Sequence, residues 1–235
     1  MVTQSTDTQT NPSNQMLNKL RAAVLGANDG IVSTSAVIMG VAGATNETGA
    51  IFTAGLAALV AGALSMAVGE YVSVSSQSDA EKSFIDREKK LLKSDPEGQL
   101  AELTKSFVDK GINPKTARQV AEELTKTDPL KAHLIAEFGM EEDDVVNPTH
   151  AAIASLLSFT AGGLVPFLAI LLAPVEMRLW VTGVAVLFAL AVTGYFSATV
   201  GGASRKRAIT RVIIGGVAAM VITYFVGYFF GTTIA

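Results

Sequence analysis

Residues 48–93 read TGAIFTAGLAALVAGALSMAVGEYVSVSSQSDAEKSFIDREKKLLK. The part from Thr48 to Gly69 contains no charged residue and is long enough to cross a hydrocarbon core of about 30 Å as a helix. The part from Ser76 to Lys93 is strongly polar, and no helix-stop signal separates it from the apolar part. We therefore predict one long helix that leaves the membrane and continues into the cytosol.

Four other segments have the same apolar character. Residues 151–175, 179–204 and 212–235 contain no charged residue or histidine, and residues 22–44 contain only Asp29. The chain is 17% charged, whereas soluble domains carry about 25%. Because lipid cannot pair with backbone polar groups, such segments span as helices. The predicted fold class is all-α, a polytopic membrane protein with five transmembrane helices and a small cytosolic helical domain inserted after helix 2.

Capping signals divide the polar insert into short helices. An Asp or Asn before a proline marks a helix start, and a glycine commonly follows a helix end. These signals predict helices at about 97–110, 114–127 and 129–138. The predicted domains are a disordered N-terminal tail (1–18), transmembrane helices 1–2 (19–75), a cytosolic helical domain (76–147) and transmembrane helices 3–5 (148–235).

Positive charges indicate the orientation, since basic residues of short loops stay on the cytosolic side. With five spans, the N-terminus, the insert and the loop holding Arg205, Lys206 and Arg207 fall on one side, and Arg178 falls alone on the other. We therefore predict a cytosolic N-terminus and an extracytosolic C-terminus. No signal peptide is recognisable, and the chain has no cysteine.

Two carboxylates, Asp29 and Glu70, lie inside apolar segments. Placing an ionised carboxylate mid-helix costs about 2.5–3.5 kcal/mol, so such residues face a protein interior or a wet cavity. The first two spans enter antiparallel through a short loop, which predicts that both acids lie at the same depth on the cytosolic side. Neither has a basic partner within the spans, which indicates a mobile cation or a proton as the counter-charge.

Two neighbours of these acids are candidate ligands. Met66 lies four residues before Glu70 on the same helix face. A thioether beside a carboxylate suits a borderline first-row metal better than Ca²⁺ or Mg²⁺, although a methionine taken alone more often fills space. Asn28 offers either a carbonyl ligand or a hydrogen bond between helices. The predicted transport path is Asp29, Met66, Glu70 and Asn28.

Further candidate ligands lie in the polar part. Glu81 and Glu88 continue the face of Glu70 at helical spacing, although alone they would be read as a solvated face. His133 and Glu137 are four residues apart, a spacing that fits either two metal ligands or a surface pair. With Glu102 on the helix that starts at Pro96, the predicted metal ligands are Glu88, Glu102, His133, Glu137 and Glu81.

Small residues on the long helix, Gly55, Gly62 and Gly69, allow a neighbouring helix to approach closely. Packing within one chain and a contact between two chains are equal alternatives. Other classes of function find no support in the sequence. No histidine cluster, nucleophile arrangement or phosphate loop indicates an enzyme, and the lysines of the insert are interleaved with acids, unlike a nucleic-acid surface.

Four motifs resemble the vacuolar iron transporter family, and together with the insert they follow the family's order. They are Leu20–Ser33 (LRAAVLGANDGIVS), Leu59–Gln77 (LVAGALSMAVGEYVSVSSQ), Phe159–Pro166 (FTAGGLVP) and Arg211–Gly231. The resemblance implies a homodimer of five-span subunits with a cytosolic metal-binding domain after helix 2. It implies proton-coupled export of Fe²⁺ and often Mn²⁺, with protons and the lipid bilayer as further partners. No permanently bound cofactor is expected, and Zn²⁺ or Co²⁺ are expected surrogates.

The resemblance also assigns residues. It puts Asp29 and Met66 on the path and the acids of the insert (Glu88, Glu102 and Glu137) among the metal ligands. Glu70 is typical of bacterial-type members, which favours a bacterial inner (plasma) membrane. The insert departs from the family, with Leu91 and Gln99 at glutamate positions and His133 and Leu134 at methionine positions, so its ligand set is depleted. The alternative function is a membrane-anchored metal sensor or storage partner that binds metal without transporting it.

Overall fold

The computed structural model describes residues 14–139 and 146–234, and regular structure in those residues is entirely helical. Eight α-helices follow one another, with a π-helical segment at Leu134–Phe138 directly after α5. Five helices are long and apolar enough to span a membrane, namely α1, α2, α6, α7 and α8, as predicted. The helices are α1 (Asn14–Ala44), α2 (Thr48–Ser94), α3 (Pro96–Asp109), α4 (Pro114–Thr127), α5 (Pro129–His133), α6 (Pro148–Leu172), α7 (Arg178–Val200) and α8 (Arg205–Ile234).

The predicted helix boundaries in the polar part are confirmed by their caps. Asp95, Asn113 and Asp128 each accept a hydrogen bond from a backbone N–H in the first turn of the following helix. Gly111 and Gly139 take positive φ at helix ends, at 91° and 64°. The single helix predicted from the second span into the polar segment is also confirmed, since α2 is unbroken.

The N-terminal boundary differs from the prediction. Helix α1 begins at Asn14, so residues 14–18 of the predicted disordered tail are helical. The polar residues at 14–18 resemble a disordered tail in composition, but the helix of the first span extends through them. Residues 1–13 of the predicted tail lie outside the described residues.

The chain forms two compact units. The first comprises Met1–Gln15 and Ser73–Asn147, and we call its Ser73–Asn147 part the insert. The second, the membrane unit, comprises Met16–Val72 and Pro148–Ala235. In the insert, Leu103, Ala121 and Ala132 form a small core against which Leu100 and Phe107 pack.

Close backbone contacts hold α1 within the membrane unit. A Cβ added to Gly30 would overlap the Phe159 carbonyl oxygen of α6, and one added to Gly162 would overlap the Ala27 carbonyl oxygen. Near the other end of α1, a Cβ on Gly227 of α8 would overlap the Gly40 carbonyl oxygen. Lipid tails are as apolar as leucine, so helices in a bilayer associate through such van der Waals contacts.

The glycines of α2 resolve part of the alternative left open by the sequence. Gly55 faces Ile38 and Phe167, and Gly62 faces the ring of Phe159, so both glycines pack within the chain. No atom lies within 4 Å of a Cβ built on Gly69. Gly55 and Gly62 therefore serve packing within one chain.

We expect Gly30→Ala to destabilise the membrane unit, because the new methyl group forces α1 and α6 apart. Overpacking of this kind costs about 1–3 kcal/mol, which corresponds to a fall in Tm of roughly 2–10 °C for a chain of this size. Gly215→Ala is the control, since its added Cβ meets no atom within 4 Å. Size-exclusion chromatography of heated, detergent-solubilised protein measures the Tm of both variants. Equal melting of the two variants would show that the α1–α6 contact is not tight.

Candidate metal site and acidic residues of the spans

Three titratable side chains converge in the insert. Glu88 lies on α2, His133 is the last residue of α5, and Glu137 lies in the π-helical segment. The His133 Nδ1 atom is 2.9 Å from Glu137 Oε1 and 3.2 Å from Glu88 Oε1. One ligand atom from each residue lies within 4.8 Å of the other two. We call these three residues the insert cluster.

The π-helical segment fixes the position of Glu137. Because the segment ends at Phe138, the Ala136 carbonyl lies in its last turn and has no partner within the helix; this oxygen accepts hydrogen bonds from Ser106 Oγ, at 3.1 Å, and from Lys110 Nζ. Gly139 ends the segment, and its N–H donates to the carbonyls of Ile135 and Leu134. The segment is thus tied to α3, and Glu137 stays one helical turn beyond His133.

The spacing of the insert cluster fits a first-row metal ion. Metal–ligand distances of about 2.0–2.2 Å separate neighbouring ligand atoms by roughly 3.0 Å at right angles and roughly 3.4 Å in a tetrahedron. The two observed separations from His133 Nδ1 are close to these values. Ca²⁺ would require longer bonds of about 2.3–2.6 Å and oxygen ligands alone. Two carboxylates and an imidazole therefore favour a transition metal.

The cluster is buried and sets two carboxylates beside one imidazole. His133 is 1% exposed and Glu88 is 5% exposed. Burial raises the pKa of the Glu88 carboxyl; His133 opposes that rise, whereas Glu137 and Glu102 add to it. His133 Nδ1 carries at most one proton for two carboxylates, and His133 Nε2 has no hydrogen-bond partner among the described residues. A divalent cation would supply the missing positive charge.

Gln99 and Glu102 border the cluster from α3. Gln99 Nε2 donates to Glu102 Oε2 at 3.2 Å, and Gln99 Oε1 is buried without a hydrogen-bond partner among the described residues. Glu102 influences the pKa of Glu88 but is not one of the three converging ligands. Helical spacing predicts no ligand role for Gln99, and the family resemblance marks it only as a position where a glutamate has been replaced. Its buried free oxygen is visible only in the folded structure.

The structure does not bring Glu81 to the cluster. Seven residues before Glu88 on one helix correspond to about 10 Å along its axis. The Glu81 carboxylate instead accepts hydrogen bonds from Gln77 Nε2 at 2.8 Å and from the Val146 backbone N–H at 3.3 Å. Glu81 therefore ties the last described part of the insert to α2, and we do not retain it as a metal ligand.

The two acids of the spans have no basic partner in the part of the chain that the structure describes. Asp29 Oδ1 accepts a hydrogen bond from Ser33 Oγ one turn later on α1. Glu70 is half-buried, and no side chain of the described residues forms an ion pair with either acid. An unpaired carboxylate within an apolar helix is costly.

Met66 and Asn28 face inward in the membrane unit. Met66 packs against the buried group formed by Leu59, Ala63 and Phe159, so its thioether faces α6. Asn28 Oδ1 is buried and lacks a hydrogen-bond partner among the described residues. The helix-to-helix hydrogen bond that was one of the two readings of Asn28 is thus absent at this oxygen, which leaves the oxygen available as an acceptor or ligand.

Known proteins are similar to this chain over nearly its whole length. The model of the VIT family matches residues 20–228. The chain belongs to the VIT family. Members of this family are transporters and not enzymes, which confirms the prediction that the chain is not an enzyme. Together with the five apolar helices, membership makes the chain an integral membrane protein.

Individual relatives agree with the family match. A protein of Acanthamoeba castellanii named vacuolar iron transporter is 42% identical over 214 residues, covering 89% of this chain and 77% of its own. The rice protein named vacuolar iron transporter homolog 1 is 37% identical, covering 90% and 74%. The rice protein named vacuolar iron transporter homolog 2 is 38% identical and covers 91% of both chains. The resemblance recognised in the sequence motifs is therefore confirmed.

We expect His133→Gln to weaken metal binding by the insert, because it removes the only nitrogen ligand of the cluster. Co²⁺ titration of the full-length protein in detergent measures affinity, and the visible absorption of Co²⁺ reports nitrogen coordination. The dissociation constant should rise by at least about tenfold. His150→Gln, at the other histidine of the chain, is the matched control. Unchanged affinity and spectrum in His133→Gln would remove His133 from the site.

We expect Glu88→Gln to stabilise the metal-free protein at neutral pH. The pKa of Glu88 is raised above its ordinary value of 4.5. Stability from such an acid is fully present below the ordinary value and is lost as pH rises through the raised value. The variant should therefore melt at a higher temperature than the parent near about pH 7.5 and at the same temperature near about pH 4.

Thermal unfolding in the presence of a chelator measures this difference across pH. Glu123→Gln, at an exposed acid of α4, is the control and should show no gain that depends on pH. A Glu88→Gln variant that is less stable than the parent at neutral pH would contradict the burial cost assigned to this carboxylate.

Proposed function

We propose that this protein exports Fe²⁺ and/or Mn²⁺ from the cytosol, in exchange for protons. The observation that carries the proposal is the pair of unpaired acids, Asp29 and Glu70, in spans of a transporter-family chain. The names of its relatives, vacuolar iron transporter and its homologs, support iron as a substrate. The insert cluster supports a transition metal, since its donors are two carboxylates and one imidazole.

The proposed mechanism begins at the insert. The cation is captured by Glu88, His133 and Glu137, whose negative charge attracts it and whose ligand spacing fits it. Glu102 raises the local negative potential from α3 and is retained as an accessory ligand. Metal binding displaces any proton on the cluster, because ligands must be deprotonated to coordinate. Capture is therefore coupled to proton release at the same residues.

In the membrane unit, the ion moves between oxygen and sulfur ligands. Asp29 and Glu70 supply the charge that balances a divalent cation, Met66 supplies a soft ligand, and Asn28 Oδ1 supplies a neutral oxygen. On the return stroke, protons neutralise the two carboxylates.

The location and assembly belong to the same proposal. The N-terminus and residues 76–147 are cytosolic and the C-terminus is extracytosolic, on the strength of the one-sided distribution of basic residues. The membrane is a bacterial inner (plasma) membrane, on the strength of Glu70, although the relatives reported above are from an amoeba and from rice. The working unit is a homodimer, as the family resemblance implies. No cofactor is permanently bound, and Zn²⁺ or Co²⁺ act as surrogate cargo.

A metal sensor or storage partner is the alternative function. It would bind metal at the insert cluster without moving it across the membrane. The unpaired acids of the spans count against it, because a sensor gains nothing from a charge that costs about 2.5–3.5 kcal/mol to insert. Membership of a transporter family counts against it as well.

We expect purified protein in proteoliposomes to move Mn²⁺ or Fe²⁺ against an opposing proton gradient, and Asp29→Asn and Glu70→Gln each to reduce the flux to the level of protein-free vesicles. Both variants keep the shape of the side chain and remove only the charge. Glu47→Gln, at an exposed acid in the loop after α1, is the control. Because the chain has no cysteine, labelling of Ser83→Cys with an impermeant maleimide reports the orientation in the vesicles.

The outcomes separate the two functions. Flux that continues after the proton gradient is collapsed would remove proton exchange from the mechanism. Unchanged flux in both acid variants would remove the two carboxylates from the path. Absence of flux in the parent protein, with Co²⁺ binding intact, would favour the sensor.

A further inference from the structure

The turn between α7 and α8 carries a concentrated positive charge. Arg205, Lys206, Arg207 and Arg211 are all exposed, and residues 178–235 contain no aspartate or glutamate. None of the four forms an ion pair with another described residue. We call these four residues the basic turn. Its charge is therefore balanced by something outside the described chain.

The charge of the basic turn does not serve the helix that carries it. The four residues lie in the first two turns of α8. The N-terminal end of a helix carries partial positive charge and is stabilised by acidic side chains, not by basic ones. Mutual repulsion and the helix dipole both oppose this cluster, so stabilisation of α8 does not explain it.

The turn joins two membrane spans and lies at the surface of the bilayer. The spans run over Arg178–Thr199 in α7 and Arg205–Gly231 in α8. The guanidinium of Arg205 lies over the ring of Tyr195, with Cζ 4.9 Å from the ring centroid. Tyrosines of membrane proteins concentrate at the depth of the lipid headgroups. This contact therefore holds a cation at headgroup depth.

An apolar stripe continues the face of the basic turn into the membrane. Residues follow Arg207 and Arg211 at steps of three and four, which places Ile214, Val221 and Phe225 on the same side of α8. All three are exposed, at 62%, 47% and 50%. Cations above an apolar stripe match the shape of a phospholipid, with an anionic head and hydrocarbon chains. An acidic segment of a soluble protein would match the cations but not the stripe.

We propose that the basic turn binds the headgroups of anionic phospholipids, with the acyl chains lying along the exposed face of α8. Each basic residue near an anionic surface contributes attraction that salt weakens. The site is separate from the residues assigned to metal binding and transport. It makes an anionic lipid a partner of this transporter, and it does not depend on which metal is carried.

The experiment uses full-length protein in phosphatidylcholine vesicles containing spin-labelled phosphatidylglycerol or spin-labelled phosphatidylcholine. Electron spin resonance measures the fraction of each lipid that is immobilised on the protein. We expect the parent protein to prefer phosphatidylglycerol by at least about threefold. The triple variant Arg205→Gln, Lys206→Gln, Arg207→Gln should lose most of that preference.

A matched control removes the same number of positive charges elsewhere. Lys105→Gln, Lys115→Gln and Lys126→Gln change exposed lysines of α3 and α4 and should leave the preference intact. Equal immobilisation of the two lipids by the parent protein would overturn the proposal, as would an unchanged preference in the triple variant. Either result would leave the basic turn with a role in setting topology alone.

A second measurement covers inversion of the variant in the membrane. Impermeant maleimide labelling of Ser204→Cys reports the side on which the turn lies, against a background without cysteine. If the triple variant is inverted, the test is instead how the lipid preference of the parent protein depends on salt. Loss of the lipid preference between about 0.05 M and about 0.5 M KCl supports headgroup binding, and a preference insensitive to salt overturns it.

Discussion

Hydrocarbon offers neither a hydrogen-bond partner nor a counter-ion, and every polar group of the membrane unit has to be accommodated under that constraint. The backbone satisfies its own hydrogen bonds by forming helices. The backbone of α1 also packs closely against the backbones of α6 and α8. The carboxylates of Asp29 and Glu70 find no counter-ion among the described residues. Asp29 has a single serine donor, and neither acid has a cation beside it. Their unbalanced charge is the property on which a carrier function rests.

The insert repeats the same imbalance with different chemistry. Glu88 and Glu137 both approach the Nδ1 atom of His133. Burial makes the ionised form of Glu88 unfavourable. With a neutral histidine, the cluster carries two negative charges, which one divalent cation would neutralise. Glu102 adds negative potential from α3, and its carboxylate accepts a hydrogen bond from the amide of Gln99. A glutamate in place of Gln99 would add a further charge and require a further cation or proton.

Sequence patterns predicted the helices well because their signals are local. The spans follow from uninterrupted apolar segments, and the caps at Asp95, Asn113 and Asp128 follow from an acid or amide before a proline. The helical spacing of His133 and Glu137 likewise predicted their contact. The start of α1 at Asn14 was missed, since polar side chains there resemble a tail although the backbone continues the helix.

The remaining features depend on which helices meet, and no local pattern encodes that. Glu81 has the same spacing on α2 as a ligand would, yet the Val146 N–H occupies its carboxylate from 65 residues away in sequence. The resemblance marked Gln99 as a replaced glutamate, and the fold adds that its side-chain oxygen is buried without a hydrogen-bond partner among the described residues. In both cases the neighbours of a side chain, and not its position in the sequence, decide whether its oxygen remains available to a ligand. By that criterion Asp29, Glu88 and Asn28 are stronger candidates than their positions in the sequence alone indicate, since each has an oxygen that the described fold leaves partly or wholly unsatisfied.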